Sequence, residues 1–127
     1  MMETYEPVAF VALETGDDLI VSFFVSSSED STGGRSITLL RDVKWERLLP
    51  DEERGVKVSD EADTEEDWQD NFLVAIRVGS KTLELTSSRY KRKLDLKRLS
   101  KADRKAMTKV LKKMNYDRRF RLQVAFA

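Results

Sequence analysis

Residues 89–121 read RYKRKLDLKRLSKADRKAMTKVLKKMNYDRRFR and predict the part of the fold around which the rest of the chain is arranged. In the centre of this stretch, apolar residues recur at steps of three and four, the spacing of one face of an α-helix. The members of this apolar face are Leu99, Ala106, Met107, Val110, Leu111 and Met114. The opposite side is polar and mostly basic, with Lys101, Arg104, Lys105, Thr108, Lys109, Lys112 and Lys113. We therefore expect an amphipathic helix that buries one face and presents positive charge on the other.

Both ends of this segment carry residues that favour helix termini. Ser100 is a favourable N-cap, and Asp103 stands three residues later, in the position of a capping box. Asn115 suits the left-handed conformation that often ends a helix, and Lys112 and Lys113 interact favourably with the helix dipole. These signals predict a helix over residues 100–115.

Most of the remaining chain has strand character, because β-branched, aromatic and other apolar residues form short runs or alternate with polar ones. The predicted strands are residues 8–14, 18–26, 37–41, 56–58, 72–78, 81–85, 90–96 and 120–126. Residues 43–49 fit either a strand or a short helix ended by Pro50. A hairpin turn at Gly79-Ser80 is expected to pair Val78 with Lys81 and Ile76 with Leu83.

These elements predict an α+β fold. We expect a curved antiparallel sheet or half-open barrel of about seven strands, with the helix lying before the last strand. The length of 127 residues is that of a single domain, residues 1–127. Mobile loops are expected at residues 26–35, which are small and polar, and at residues 59–70, where like charges repel each other.

The composition of the chain excludes several kinds of catalytic group and metal site. The chain contains no cysteine and no histidine, which removes thiolate nucleophiles, thiolate metal sites, the commonest general base and the commonest zinc ligand. We therefore expect a non-enzymatic protein with no catalytic residue, no cofactor and no metal site. The start of the chain lacks the basic region of a signal peptide and no apolar run reaches membrane-spanning length, so a cytoplasmic protein without membrane contact is expected.

The formal net charge of zero conceals a strong separation of charge along the chain. Residues 1–76 contain 19 acids and 6 bases, a net of −13, and residues 77–127 contain 17 bases and 4 acids, a net of +13. One interpretation is that the two halves pack together and neutralise each other. The other is that each half meets a different partner.

The leading functional interpretation concerns the basic half. If the strands on either side of the helix are neighbours, their basic residues and those of the helix form one surface suited to nucleic acid or an acidic protein. The residues of this predicted basic surface are Lys91, Lys93, Lys97, Lys101, Arg104, Lys105, Lys109, Lys112, Arg119 and Arg121. The alternative is that these residues only solvate the exposed side of the helix and strands.

A second interpretation concerns the acidic segment at residues 60–70, which holds seven acids in eleven residues. Its candidate contact residues for a basic protein, in the manner of an antitoxin or immunity protein, are Glu65, Glu66, Asp67, Trp68 and Asp70. The alternative places Trp68 in the core.

The third interpretation is a carboxylate-metal nuclease. Such enzymes pair an acid with a lysine two residues later on a strand, and a Pro-Asp pair lies upstream. Pro50-Asp51 and Asp95-Leu96-Lys97 fit this pattern, but acid-x-Lys also occurs at Asp42-Val43-Lys44 and Asp103-Arg104-Lys105, so the motif has little specificity.

Overall fold

The structure is a computed structural model that describes residues 5–26, 34–63 and 71–125. Its elements in chain order are β1 (Glu6–Thr15), β2 (Asp18–Ser26), β3 (Gly34–Asp42), α1 (Val43–Glu46), a 3-10 turn (Asp51–Glu53), β4 (Lys57–Asp60), β5 (Leu73–Val78), β6 (Thr82–Ser87), β7 (Lys91–Asp95), α2 (Lys101–Met114) and β8 (Arg121–Val124). The mostly-β composition with one main helix confirms the predicted α+β character.

The eight strands form one open sheet in the order β4-β3-β2-β1-β7-β6-β5-β8. Most neighbours are antiparallel, but β1 pairs with β7 and β5 pairs with β8 in parallel. The sheet is therefore mixed and is not closed into a barrel. All eight segments of strand character contribute to it, although about seven strands were expected. Residue alternation shows which face of a strand is buried but carries no information on strand direction, which is why the parallel pairs were not anticipated.

Helix α2 packs on β1 and β2 and ends one residue short of the predicted helix on each side. As predicted, Met107, Val110, Leu111 and Met114 are buried and the lysines of the opposite side are exposed. Two face assignments were wrong: Ala106 is exposed and Thr108 is buried. Thr108 tolerates burial because its hydroxyl donates to the Arg104 carbonyl oxygen at 2.8 Å, which leaves no unpaired donor.

The hairpin of β5 and β6 differs from the predicted register by two residues. Val78 pairs with Leu83 and Ile76 with Leu85, and Gly79 N–H donates to the Thr82 carbonyl at 2.8 Å, so the loop consists of Ser80 and Lys81. A bulge between Leu73 and Ala75 also breaks the alternation. Leu73 is consequently buried and Val74 half-exposed, the reverse of what a regular strand would give.

Residues 43–46 adopt the helical alternative of the two that the sequence left open. Asp42 begins α1 by accepting the Trp45 N–H with its side chain. Of the loops predicted at 26–35 and 59–70, the ends belong to strands β2, β3 and β4, and residues 27–33 and 64–70 lie outside the described residues. Among the helices that the structure describes, none has the length and apolar character needed to cross a bilayer.

The cap of α2 gives a direct test of the helix start. Ser100 Oγ accepts the N–H of Asp103 at 3.0 Å. Replacing Ser100 with alanine should lower the free energy of unfolding by about 1 kcal/mol, because an orphan helix N–H loses its acceptor. Urea unfolding of Ser100→Ala against Ser100→Asp, which keeps an acceptor, measures this loss. Equal stability of the two variants would contradict the cap.

Candidate functional site

The outer face of strands β5 to β8 carries basic side chains in two rows that run across the sheet. Directly paired residues of neighbouring strands project to the same face, so the strand registers place each row. The first row is Arg121, Ala75, Thr86 and Lys91. The second row is Gln123, Arg77, Glu84 and Lys93. We call Arg77, Lys91, Lys93 and Arg121 the sheet basic face.

This face has the dimensions of a short stretch of nucleic-acid backbone. Neighbouring strands lie about 4.8 Å apart, so a row of four strands extends over about 14 Å. One strand of duplex DNA carries a phosphate about every 3.4 Å along its axis, so a row spans about four of them. A shallow depression of about 180 Å³ lies over the two rows.

The charge of the face is only partly compensated within its two rows. Its two rows hold four bases and one acid, Glu84, which leaves a formal charge of +3. The Glu84 carboxylate also accepts the hydroxyl of Tyr5 at 3.5 Å. Within the described part of the chain, the side chains of Arg77, Lys91 and Arg121 form no hydrogen bond or ion pair. Their donors therefore remain available to an anionic partner.

The residues of the predicted basic surface lie on separate parts of the structure. Strands β7 and β8 are not neighbours, since β6 and β5 lie between them. Lys91, Lys93 and Arg121 belong to the sheet basic face, Lys97 lies in the turn after β7, and Lys101, Lys105, Lys109 and Lys112 line the exposed side of α2. Arg77 completes the face and was missed, although its polar position between Ile76 and Val78 was a signal.

Two residues of the predicted basic surface, Arg104 and Arg119, form hydrogen bonds within the chain. Arg104 is half-buried and donates through Nη1 to the Leu99 carbonyl oxygen at 2.7 Å. Arg119 precedes β8, and does not share a strand face with Arg121 as expected. Its guanidinium bonds to the carboxylates of Asp51 and Asp117.

Arg41 is the centre of a buried ion-pair cluster. Its side chain is fully buried at the end of β3 and donates to both carboxylate oxygens of Glu46, at 2.8 and 2.9 Å, and of Asp117, at 2.7 Å each. It also donates to the Met114 carbonyl at 2.6 Å, at the end of α2, and its guanidinium lies 4.4 Å from the centre of the Tyr116 ring. This cluster, the Arg41 cluster, joins β3 and α1 to the end of α2.

A second cluster surrounds the carboxylate of Asp60, which has no exposed side-chain surface. Arg35 donates to it through Nε at 2.7 Å and Nη2 at 3.1 Å, and Arg92 through Nε at 3.1 Å. Arg35 also bonds to both oxygens of Glu6, at 3.1 and 2.8 Å. The Arg92 guanidinium stacks 3.7 Å from the centre of the Tyr90 ring. This Asp60 cluster joins β1, β3, β4 and β7.

Of the acidic segment at residues 60–70, the structure describes residues 60–63. Asp63 Oδ2 accepts the hydroxyl of Tyr90 and the N–H of Asp60, both at 2.9 Å. The predicted partner-binding residues Glu65, Glu66, Asp67, Trp68 and Asp70 lie outside the described residues. Their role in binding a basic protein stays a prediction.

The two clusters make stability dependent on acid. The hydrogen bond from Arg41 holds the pKa of Asp117 at about 2, against the opposing effect of burial. Burial opposes ionisation of Asp60 as well, but hydrogen bonds from Arg35, the Ala62 N–H and Arg92 outweigh it and lower the pKa of Asp60. Carboxylates with a lowered folded pKa contribute stability above their unfolded pKa, about 4, and lose it as the pH falls through the folded value.

The urea unfolding midpoint should therefore decline as the pH is lowered from about 4 towards 2. Asp117→Asn should flatten this decline, because its side chain no longer titrates. Glu52→Gln, at an exposed position in the 3-10 turn, serves as the matched control. A wild-type decline that Asp117→Asn leaves unaltered would contradict the assignment.

The carboxylates of the nuclease pattern have other partners. Asp51 bonds to Arg119, and Asp95 Oδ1 accepts the N–H of Lys97 at 2.9 Å. In the residues that the structure describes, no three acidic side chains are grouped in a way that would hold a metal ion. What the arrangement offers is positive charge on an exposed sheet face. The chain matches no protein-family model, no curated protein and no solved structure.

Proposed function

We propose that this chain is a small non-enzymatic binding module that holds the backbone of a nucleic acid on its sheet basic face. The observation that supports this function is the pair of in-register rows that carry Arg121 and Lys91, and Arg77 and Lys93, on one exposed face. Lysine and arginine side chains that share one face of a sheet suit the phosphates of a nucleic-acid backbone, because they neutralise the phosphate charge.

The surroundings of the sheet basic face differ from those of the α2 lysines. Lys101, Lys105, Lys109 and Lys112 stand on the exposed side of a helix, where a polar surface is needed whether or not a ligand binds. The sheet residues lie instead among the small or neutral side chains of Ala75, Thr86 and Gln123, which leave a strand of nucleic acid room to approach. Because the charged groups of the face suit phosphates, which carry no sequence information, binding should be independent of sequence.

The test compares two variants that lose the same charge. Arg77→Gln/Lys91→Gln/Arg121→Gln removes three charges from the face, and Lys101→Gln/Lys105→Gln/Lys109→Gln removes three from α2. Fluorescence anisotropy with a labelled single-stranded 20-mer gives affinity between 50 and 200 mM salt, about the range over which counterion release is measured. Each phosphate contact contributes about 0.7 to the slope of log K against log salt on single strands, so the sheet variant should lose about 2 from the slope.

The helix variant should keep a slope close to that of the wild-type protein. Equal losses in the two variants would mean that overall charge, and not the sheet basic face, governs binding. Absence of wild-type binding at 50 mM salt would reject nucleic acid as the partner. Binding of polyglutamate instead, lost in the sheet variant, would assign the face to an acidic protein.

A further inference from the structure

A shallow surface cavity beside the sheet basic face has a different chemistry. It has a volume of about 560 Å³ and is lined by Glu6, Arg35, Ala62, Lys91, Arg92 and Lys93. Lys91 also borders the depression over the sheet basic face, so the two sites adjoin. We propose that this cavity binds a phosphate monoester, and that a terminal phosphate of a strand lying on the sheet basic face is its ligand. The identity of that strand rests on the proposed function, whereas binding of the phosphate group does not.

The charge of the cavity favours a doubly charged anion. Its lining holds four bases and one acid, Glu6. Asp60 lies beneath them with no exposed side-chain surface, so the formal sum over the lining and Asp60 is +2. A phosphate monoester carries a charge of about −2 at neutral pH and three acceptor oxygens, whereas the phosphodiester links of a nucleic acid carry one charge each.

The two arginines are positioned before any ligand arrives. Asp60 accepts a hydrogen bond from the Nε of both Arg35 and Arg92. The guanidinium of Arg92 also stacks on the Tyr90 ring. A side chain that is already fixed loses little rotamer freedom on binding, and this is the main advantage of a preorganised site. The planar guanidinium also matches phosphate oxygens better than the point charge of a lysine.

Free donors remain for the ligand. Arg92 uses Nε on Asp60 and Nη1 on the Lys91 carbonyl at 3.3 Å. Among the described residues, its Nη2 has no hydrogen-bond partner, and neither has the Lys91 ammonium. Arg35 differs, because Glu6 and Asp60 together accept four hydrogen bonds from it, which leaves one Nη1 hydrogen. Glu6 therefore competes with an incoming phosphate for Arg35, and this competition gives the proposal a test in which binding improves.

The first experiment uses inorganic phosphate as the probe. Two-dimensional NMR of the ¹⁵N-labelled chain at constant ionic strength follows the Nε–H signals of Arg35 and Arg92 during a phosphate titration, with chloride as the comparison. Both signals should shift with saturation, and Glu6→Gln should tighten phosphate binding severalfold. Lys105→Gln, on the exposed side of α2, is the matched control and should leave phosphate affinity unchanged. Absence of saturable shifts at both arginines, or no gain in Glu6→Gln, would overturn the proposal.

The second experiment distinguishes a strand end from free phosphate. A single-stranded 10-mer is compared with a 5′-phosphate, a 3′-phosphate or no terminal phosphate. One phosphorylated form should bind about tenfold more tightly than the unphosphorylated strand, the effect of one or two charge-assisted hydrogen bonds. If phosphate saturates the arginines while all three strands bind equally, the ligand is a free phosphate compound and the strand-end assignment is rejected.

The pair Arg77→Gln/Arg121→Gln separates the two proposals. Both residues belong to the sheet basic face and neither lines the cavity. This variant should weaken binding of the 10-mer while the phosphate-induced shifts of Arg35 and Arg92 stay unchanged. Loss of those shifts as well would show that the cavity is not an independent site.

Discussion

Replacement of Arg41 with methionine is expected to lower the free energy of unfolding by about 4 kcal/mol, within the range of about 3–5 kcal/mol observed when one partner of a buried ion pair is removed. Methionine fills similar space but leaves Glu46, with 7% of its side chain exposed, and Asp117 without their shared cation. The Met114 carbonyl at the end of α2 also loses its donor. Urea unfolding at neutral pH measures the loss.

A matched control is available nearby. Arg47 is exposed, and Arg47→Met should change the free energy of unfolding by no more than about 0.5 kcal/mol. Adding Glu46→Gln to Arg41→Met should recover part of the loss, since a neutral amide costs less to bury than an unpaired carboxylate. Comparable losses for Arg41→Met and Arg47→Met would contradict the central role of the Arg41 cluster.

The sequence contained half of the information needed to foresee this cluster. Arg41 follows Ile37 and Leu39 at steps of two, on the face of β3 that proves to be buried. A charged residue on the buried side of a strand calls for an oppositely charged partner, because an unpaired buried charge is too costly to retain. Glu46 stands five residues away, but Asp117 lies 76 residues away in the chain, and no local pattern links the two.

The same reasoning applies to the Asp60 cluster. Asp60 follows Val58 on the buried side of β4, and Arg92 precedes Leu94 on the buried side of β7. Their meeting depends on the bending of the sheet, because three strands, β3, β2 and β1, separate β4 from β7 in the strand order, and Arg92 nevertheless bonds to Asp60. Helix α2 was predictable because its signals lie within a few residues of one another, whereas strand order depends on contacts between distant segments.

The separation of charge along the chain has two outcomes in the fold. Between the described residues of the acidic and basic halves, the ion pairs are Arg41 with Asp117, Arg92 with Asp60, and Arg119 with Asp51. The pairs of Arg92 with Asp60 and of Arg119 with Asp51 support the interpretation that the halves neutralise each other. The pair of Arg41 with Asp117 does not, because it joins a base of the acidic half to an acid of the basic half. The sheet basic face, on the outer side of β5 to β8, contributes no residue to these pairs. Its two rows keep a formal charge of +3. The pairing of β5 with β6 on this face could not be deduced from the sequence. The bulge after Leu73 and the two-residue shift of the hairpin are not indicated by the alternation of apolar and polar residues.

Replacement of Asp60 with asparagine is expected to lower the free energy of unfolding by about 3 kcal/mol, the lower end of the range for breaking a buried ion pair. The carboxylate is fully buried, and its loss leaves Arg35 and Arg92 facing a neutral amide. The loss stays at the lower end because the two arginines keep 25% and 26% of their side chains exposed and can regain water. Arg35 also retains Glu6 as a partner.

Glu61→Gln is the control, because Glu61 is exposed and its substitute keeps an oxygen for the N–H of Ser36. It should change the free energy of unfolding by no more than about 0.5 kcal/mol. A double-mutant cycle with Arg35→Gln then isolates the ion pair, and residues in contact should show a coupling of about 0.5–3 kcal/mol. Additive effects of Asp60→Asn and Arg35→Gln would mean that the two side chains do not stabilise each other, and that Asp60 does not hold Arg35 in place.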